Sequence, residues 1–206
     1  VEKPKVKAGH ILIKNYASSI NPVDTAIRSG YMAKVVPLSF PATLGGDTAG
    51  IVEGVGNGVG DFKVGDKVYG SGLLLGGGTG AFAEFVVTPA ALVAKMPANI
   101  SFTEAAASVL AGVSALQAIT EHIELKPGQK ILIHGGAGGI GSFARSFTSS
   151  AGNTLLVITL NLSSLDILSI TSFIVSSTCS LGAPSISIII FATIFSILTC
   201  PSKVNQ

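Results

Sequence analysis

The glycine-rich segment Gly135–Gly141 has the clearest chemical meaning in this sequence. It contains the pattern Gly136-x-Gly138-x-x-Gly141 and directly follows Lys130–His134, an apolar run typical of a strand buried on both faces. When such a loop joins a strand to a helix, N–H groups at the helix N-terminus can bind the pyrophosphate of a dinucleotide. The sequence therefore predicts a dinucleotide site, and an ordinary glycine turn is the alternative. The predicted cofactor-binding residues of this loop are Gly136, Gly138, Gly139, Ile140 and Gly141.

Metal-ligating and nucleophilic side chains are sparse. The two cysteines, Cys179 and Cys200, lie 21 residues apart, which excludes a thiolate zinc cluster and argues against a disulfide framework. A reducing cytoplasm is the expected location. The histidines His10, His122 and His134 flank apolar runs without an acidic partner at metal-ligand spacing, so we interpret them as structural.

Composition divides the chain into two unlike parts. The 206 residues carry a net charge of +2 with scattered lysines, so nucleic acid binding is not expected. Residues 1–144 hold 21 of the 24 charged residues, and residues 145–206 hold only Arg145, Asp166 and Lys203. The length suits one complete domain and part of another. Because the chain starts at Val1 without a basic and apolar leader, we expect a fragment with no secretory signal.

The first half of the chain is predicted to be rich in β structure. Alternating isoleucines predict a strand over His10–Tyr16. Further strands are predicted over Gly50–Val55, Lys67–Tyr69 and Ala83–Thr88, with glycine-containing turns between them. Short, closely spaced strands of this kind indicate a small antiparallel barrel.

A short helix is predicted after the first strand. Asn21 and Pro22 are favoured at the N-cap and the first helical position. Asp24 and Arg28 are spaced i,i+4, so we expect them to form an ion pair on this helix.

A longer helix is predicted where the composition becomes rich in alanine. Ser101-Phe-Thr-Glu104 is a capping box, and Ala105–Ile123 has apolar residues at helical spacing over about five turns. The helix expected after the glycine loop, Ser142–Ser150, is less well supported because its serines and threonines compete for backbone hydrogen bonds.

Seven landmarks in a fixed order resemble the zinc-free, quinone oxidoreductase-like branch of the medium-chain dehydrogenase/reductase superfamily. They span residues 8–144, and together they are far more specific than any one of them. The landmarks are Asn21-Pro-Val-Asp24, Gly45-Gly-Asp47, Gly54-Val-Gly56, Phe62-Lys-Val-Gly-Asp66, Ala111-Gly-Val-Ser114, Pro127-Gly128 and Gly135–Gly141.

The resemblance implies a mainly β GroES-like barrel followed by an incomplete α/β Rossmann segment. The expected divisions are residues 1–100 for the barrel, 101–161 for the linking helix and first part of the NAD(P)-binding domain, and 162–206 for an unassigned tail rich in Ser, Ile and Leu. Family members bind NAD(P)H between the two domains and reduce quinones or α,β-unsaturated carbonyls by hydride transfer. We therefore expect NADP as cofactor, with NAD as the alternative.

The resemblance also suggests roles for three side chains. Asn21 is implied as a contact near the nicotinamide, and Ser114 stands where the family usually has a cofactor-contacting threonine. Tyr31 could donate a hydrogen bond to the substrate, so Asn21 and Tyr31 are the candidate catalytic residues. Each also has a structural interpretation: Asn21 as a helix cap, Ser114 as a packed helix residue and Tyr31 as a half-buried aromatic.

A catalytic zinc is not expected. Zinc-binding relatives place a cysteine near Val23 and a Gly-His-Glu motif where this chain has Gly45-Gly-Asp47. The chain has no cysteine before Cys179 and no histidine between His10 and His122. The remaining side chains do not supply the ligands of a tetrahedral zinc site.

The tail lacks the family pattern. We expect the first Rossmann helix to end near Gly152 and a second strand within Leu155–Leu160, followed by Asn161, Ser163 and Ser164, which do not distinguish NAD from NADP. Three accounts remain open, in order of preference: an out-of-frame reading, a membrane-associating segment, or a divergent sheet. The apolar stretch Ile186–Leu198 has 13 residues, short of the roughly 20 of a spanning helix.

The expected function is that of a cytoplasmic NAD(P)H-dependent oxidoreductase with a small quinone or enone substrate. A homo-oligomer is compatible with the family fold, and membrane binding is not favoured. The alternative is a non-catalytic GroES-like fragment or partner-binding module, because the sequence contains only the beginning of a Rossmann domain.

Overall fold

A computed structural model of the chain describes residues 2–123, 125–152, 154–158 and 186–190. The chain divides into two compact units between Leu110 and Ala111. Each unit has its own sheet.

The first unit contains a five-stranded antiparallel sheet. Its strands are β1 His10–Ala17, β2 Asp47–Val55, β3 Lys67–Ser71, β4 Phe85–Pro89 and β5 Val93–Lys95. They are arranged in the order β4-β1-β2-β3-β5. Ile11, Ile13, Val52, Val68 and Val86 are fully buried at its core, as expected when alternate residues face one side of a sheet. The mainly β prediction for this part of the chain is confirmed.

The short helix α1, Pro22–Arg28, begins where its proline predicts. Val23 and Ile27 are buried against Met32 and Val36. The predicted ion pair between Asp24 and Arg28 is wrong. Asp24 lies on the same buried face and is only 4% exposed, whereas Arg28 is exposed.

The ion pairs found among the described residues do not involve α1: they are Lys3–Glu53 and Lys95–Asp66. Two short 3₁₀ helices, Leu74–Gly76 and Ala90–Leu92, complete the regular structure of this unit. The chain after α1 turns at Gly30. Tyr31 follows this turn and is 72% exposed, so the half-buried interpretation of this side chain is wrong.

The long helix α2, Phe102–Gln117, continues into a π-helical turn at Ala118–His122. The predicted capping box is present: the Ser101 backbone N–H donates to Glu104 at 2.8 Å, and the Glu104 N–H donates to Ser101 Oγ at 3.3 Å. Residues 102–122 are long and apolar enough to cross a membrane by length and composition alone, but core helices pass the same test. Ala105 and Ala115 of this helix are fully buried in protein.

The capping box makes the stability contribution of Glu104 depend on pH. Hydrogen bonds from the Ser101 backbone N–H and hydroxyl lower the pKa of Glu104 below its ordinary value of 4.5. The ionised carboxylate therefore stabilises the fold above that value, and this contribution is lost as pH falls through the lower folded-state pKa. We expect Glu104→Gln to lower the melting temperature at about pH 7 and to have little effect near about pH 2. Thermal unfolding at both pH values tests this, and an equal loss at both would contradict it.

The second unit contains a three-stranded parallel sheet. Strand β6, Lys130–His134, is followed by α3, Gly139–Ser150, and β7, Thr154–Ile158, and the sheet is completed by β8, Ile186–Ile190. The strand order is β7-β6-β8. The strand–helix–strand unit β6-α3-β7 is the arrangement expected at the beginning of a Rossmann domain.

Helix α3 forms in spite of its hydroxyl-rich sequence. Ser142 Oγ donates to the Gly139 carbonyl at 2.8 Å, and Thr148 Oγ1 donates to the Ala144 carbonyl at 2.8 Å. These hydroxyls bond back to the preceding turn of the helix instead of competing with it. The helix ends before Gly152, which has a φ of 72°. The end of the first Rossmann helix is therefore at the predicted position.

Parts of the tail belong to the second sheet. The predicted second strand is present as β7, while residues 159 and 160 lie outside the described residues. Ile186–Ile190 pairs in parallel with β6, so this segment forms part of the second sheet, and the three accounts of the tail's origin stay predictions. The predictions that concern Asn161, Ser163, Ser164, Cys179, Cys200 and residues 191–198 also fall outside the described residues.

Candidate functional site

The glycine loop connects the carboxyl end of β6 to α3. Gly135 turns the chain with a φ of 73°, and Gly138, the N-cap residue, is extended with a φ of −75° and a ψ of 171°. The Gly138 N–H donates to the Gly135 carbonyl at 3.0 Å, and the Ser142 N–H donates to the Gly138 carbonyl at 2.9 Å. The loop is therefore a defined turn that leads directly into the helix.

The third glycine of the motif marks the closest approach between helix and loop. A Cβ atom on Gly141 would lie 2.3 Å from the Gly135 carbonyl oxygen and 2.7 Å from Gly136 Cα. Gly136 and Gly141 are buried, whereas Gly138 and Gly139 are exposed. The first and third glycines of the motif are thus buried, whereas its second glycine and the adjacent Gly139 are exposed to solvent.

The first turn of α3 is suited to an anion. The N–H groups of Gly139, Ile140 and Gly141 belong to the first helical turn, where no carbonyl of the same helix is available to them. The helix dipole gives this end partial positive charge, and the turn contains no acidic side chain. Phosphate oxygens fit both properties.

The strand order places the first turn of α3 at the edge of the sheet where ligands usually bind. In open parallel sheets, ligands bind outside the carboxyl ends of the strands where the connections leave in opposite directions. Here β7 and β8 flank β6 on opposite sides, and the loop begins at the carboxyl end of β6. The loop residues predicted from the sequence are therefore brought together in one place.

Ser114 belongs to the same unit as the loop. Ala111, one turn earlier on α2, lies beside Gly139: a Cβ on Gly139 would meet Ala111 Cβ at 3.7 Å. Residues spaced i,i+3 share a helix face, so Ser114 lies on the face of α2 that Ala111 presents to the start of α3. Its side chain is half-buried.

Asn21 lies in the first unit, in a partly buried network of polar groups. Its backbone N–H donates to Asp24 Oδ2 at 2.8 Å, and its amide Nδ2 donates to Asp47 Oδ2 at 2.7 Å. Ser19 Oγ donates to the same Asp47 oxygen. Asn21 is therefore both the N-cap residue of α1, as the structural interpretation predicts, and a member of a side-chain network. Its contact with the nicotinamide stays a prediction.

Asp47 is not among the functional residues predicted from the sequence. Asp47 begins β2 and is only 2% exposed, so burial raises its pKa, and the negative charge of Asp24 raises it further. Burial also raises the pKa of Asp24. The available signal was a carboxylate between Gly45-Gly46 and the apolar start of a strand, an unusual position for a charged group.

The histidines that the sequence predicts to be structural differ in their surroundings. His134 is 6% exposed at the end of β6, and its Nε2 atom has no hydrogen-bond partner among the described residues. His10 Nδ1 lies 2.8 Å from the Ala8 carbonyl oxygen. Within the described ranges, no group of three or more His, Cys, Asp or Glu side chains is placed to hold a metal ion.

Comparison with known proteins places the two units in a family context. Residues 7–98 match the model of the alcohol dehydrogenase GroES-like domain. The chain is 41% identical over 149 residues to a chloroplast envelope quinone oxidoreductase homolog of Arabidopsis thaliana, covering 70% of this chain and 45% of that protein. It is 39% identical over 147 residues to quinone oxidoreductase 1 of Escherichia coli, covering 71% and 42% respectively. The chain thus spans about half the length of the curated relatives it matches.

Solved structures give the same result at the level of the fold. An alcohol dehydrogenase superfamily protein from Novosphingobium aromaticivorans matches with a TM-score of 0.72 and 30% identity, over 92% of this chain and 53% of that one. Escherichia coli quinone oxidoreductase complexed with NADPH matches with a TM-score of 0.70 and 30% identity, over 85% and 57%. The chain belongs to the medium-chain dehydrogenase/reductase superfamily and, within it, is of the zinc-independent, quinone oxidoreductase-like type.

Proposed function

We propose that this chain acts as an NADPH-dependent oxidoreductase that reduces quinones or α,β-unsaturated carbonyls. The observation that carries the proposal is the first turn of α3, whose N–H groups at Gly139, Ile140 and Gly141 lack acceptors within the helix. The similar structure from Escherichia coli is a complex with NADPH, which supports NADP over NAD. In the overall reaction, a quinone, NADPH and one proton give a hydroquinone and NADP⁺.

The cofactor supplies the hydride, and the protein supplies binding and orientation. Backbone N–H groups of the loop would hold the pyrophosphate, with Gly136 and Gly138 setting the loop's shape, and Ser114 would contact the cofactor from α2. Asn21 would contact the nicotinamide end, and the Tyr31 phenol would donate a hydrogen bond to the substrate oxygen. A donor at that oxygen stabilises the negative charge that develops as hydride reaches an electrophilic carbon.

The proposed division of labour follows the predicted domains: residues 1–100 as the barrel, 101–161 as the linking helix and cofactor segment, and 162–206 as the unassigned tail. The partner is a small-molecule quinone or enone, the location is the cytoplasm, and a homo-oligomer fits the family. A second candidate is a non-catalytic GroES-like module. The match of residues 7–98 to the GroES-like domain fits this candidate as well.

The test is cofactor consumption by the purified chain. NADPH or NADH is mixed with a panel of quinones and α,β-unsaturated carbonyls, with and without a chelator. We expect oxidation of NADPH that a chelator does not change, because no group of side chains among the described residues is placed to hold a metal ion. Activity abolished by the chelator and restored by zinc would contradict the zinc-free mechanism.

Thermal unfolding distinguishes the proposed enzyme from the non-catalytic module. A nucleotide that binds only the folded chain must raise its melting temperature. We expect NADPH to do so, whereas a non-catalytic module predicts that neither nucleotide changes it.

A further inference from the structure

Four polar side chains in the first unit form a partly buried network, which we call the Asp47 cluster: the half-buried Ser19 and Asn21 and the buried Asp24 and Asp47. Asp24 and Asp47 are 4% and 2% exposed. Asp47 Oδ2 accepts hydrogen bonds from Ser19 Oγ and, at 2.7 Å, from Asn21 Nδ2. Asn21 Nδ2 also lies 3.3 Å from Ser19 Oγ. Both donors therefore converge on one carboxylate oxygen.

The two carboxyl groups of the cluster differ in their surroundings. Asp47 Oδ2 accepts from two side-chain donors, which favours its ionised form. Asp24 Oδ2 accepts the Asn21 backbone N–H at 2.8 Å, but Asp24 Oδ1 is buried without a hydrogen-bond partner. Neither carboxylate belongs to an ion pair formed by the described residues. Two nearby buried carboxylates without a cation resist ionising together, and the negative charge of Asp24 raises the pKa of Asp47.

We propose that Asp47 is a positioning residue: its carboxyl group holds the Asn21 amide and the Ser19 hydroxyl in one fixed arrangement. The reasoning rests on the proposed function, because it uses Asn21 as the contact to the nicotinamide end. The amide nitrogen has two N–H groups, and its hydrogen bonds go to Asp47 and Ser19, so the atom that Asn21 can offer a ligand is Oδ1, an acceptor with two lone pairs. The carboxamide N–H of a nicotinamide is a suitable donor for it.

The cluster also explains why the orientation would be maintained. An asparagine amide rotated by half a turn would direct its oxygen at Asp47 and place two acceptors together. Asp47 Oδ2 would then keep only Ser19 Oγ as a donor, and burial makes the loss of the amide donor costly. A negative charge at Asp47 thus selects one of the two amide orientations.

Two isosteric variants and one control test this role. Asp47→Asn removes the charge that fixes Asn21, Asp24→Asn mimics a protonated carboxyl, and Asp61→Asn removes one negative charge from an exposed position. We expect Asp47→Asn to raise the KM for NADPH about tenfold, because the contact is misplaced. Asp24→Asn is expected to change it by no more than about twofold, and Asp61→Asn not at all.

NMR of the Asn21 side-chain amide gives a readout that requires no activity. In the wild-type chain, the amide proton bonded to Asp47 should resonate downfield of its partner. Asp47→Asn should move this proton upfield, whereas Asp24→Asn should leave its shift unchanged. If the wild-type chain neither binds nor oxidises NADPH, the proposed function is wrong, and the amide spectra still decide the positioning role.

Two results would overturn the proposal. One is an unchanged Asn21 amide resonance and an unchanged KM in Asp47→Asn. The other is an equal effect of Asp24→Asn and Asp47→Asn on the amide, because the two carboxyl groups would then not have distinct roles.

Discussion

Replacing Gly50 by alanine is expected to unfold the first unit or to lower its free energy of unfolding by about 3 kcal/mol or more. Gly50 of β2 pairs with Asn15 of the neighbouring antiparallel strand β1. A Cβ atom at Gly50 would lie 2.1 Å from the Lys14 carbonyl oxygen and 2.8 Å from Ile13 Cγ2. Neither group can move without opening the strand pair, because Ile13 is fully buried and Lys14 belongs to the β1 backbone.

The matched control lies on the same strand. A Cβ atom at Gly54 would meet Leu12 Cβ at 3.5 Å and Leu12 Cδ2 at 3.7 Å, which are ordinary packing distances. The free energy of unfolding of Gly54→Ala should therefore stay within about 1 kcal/mol of the wild-type value. Urea unfolding followed by circular dichroism measures both variants. Similar midpoints for the two would show that strand contact at Gly50 does not determine stability.

Replacing Gly141 by alanine is expected to weaken NADPH binding by about 100-fold or more. The new Cβ would lie 2.3 Å from the Gly135 carbonyl oxygen and 2.7 Å from Gly136 Cα. To relieve this overlap, the first turn of α3 must move away from the loop. The N–H groups proposed to bind the pyrophosphate then lose their common arrangement. A titration of NADPH fluorescence with each variant measures the dissociation constant.

Gly139→Ala is the matched control, because it adds a methyl group to the same helical turn without displacing α3. Its Cβ would meet Ala111 Cβ at 3.7 Å, an ordinary contact. The free energy of unfolding of the second unit should therefore stay within about 1 kcal/mol of the wild-type value. Gly141→Ala should also lose stability. Wild-type affinity for NADPH in Gly141→Ala would contradict the role given to the closest approach between loop and helix.

Much of the fold could be predicted because its signals are local. The alternating isoleucines of β1 and the capping box at Ser101–Glu104 depend on residues a few positions apart. The expected pair Asp24–Arg28 failed for a tertiary reason. The i,i+4 rule describes exposed helix faces, whereas α1 buries the face that carries Asp24.

The candidate site divides in the same way. The glycine loop lies within seven consecutive residues, and its pattern could be recognised directly. The link between Asn21 and Asp47 joins residues 26 positions apart and forms only when β2 is in place beside the segment before α1. No spacing rule predicts such a contact, so Asp47 was not among the predicted site residues.

The tail illustrates the limit of composition as evidence. Its scarcity of charge favoured a segment foreign to the fold, yet Ile186–Ile190 pairs in parallel with β6. Strands covered on both faces are expected to be continuously apolar. A charge-poor segment is therefore compatible with a central parallel sheet.

The most direct test of the central claim follows the backbone amides of α3 during a titration with NADPH. Two-dimensional NMR spectra of the intact chain report each N–H group separately. The account predicts saturable binding, with the largest downfield shifts at Gly139, Ile140 and Gly141, because their N–H groups would donate to the pyrophosphate. Unchanged resonances of these three amides at saturating NADPH would contradict it.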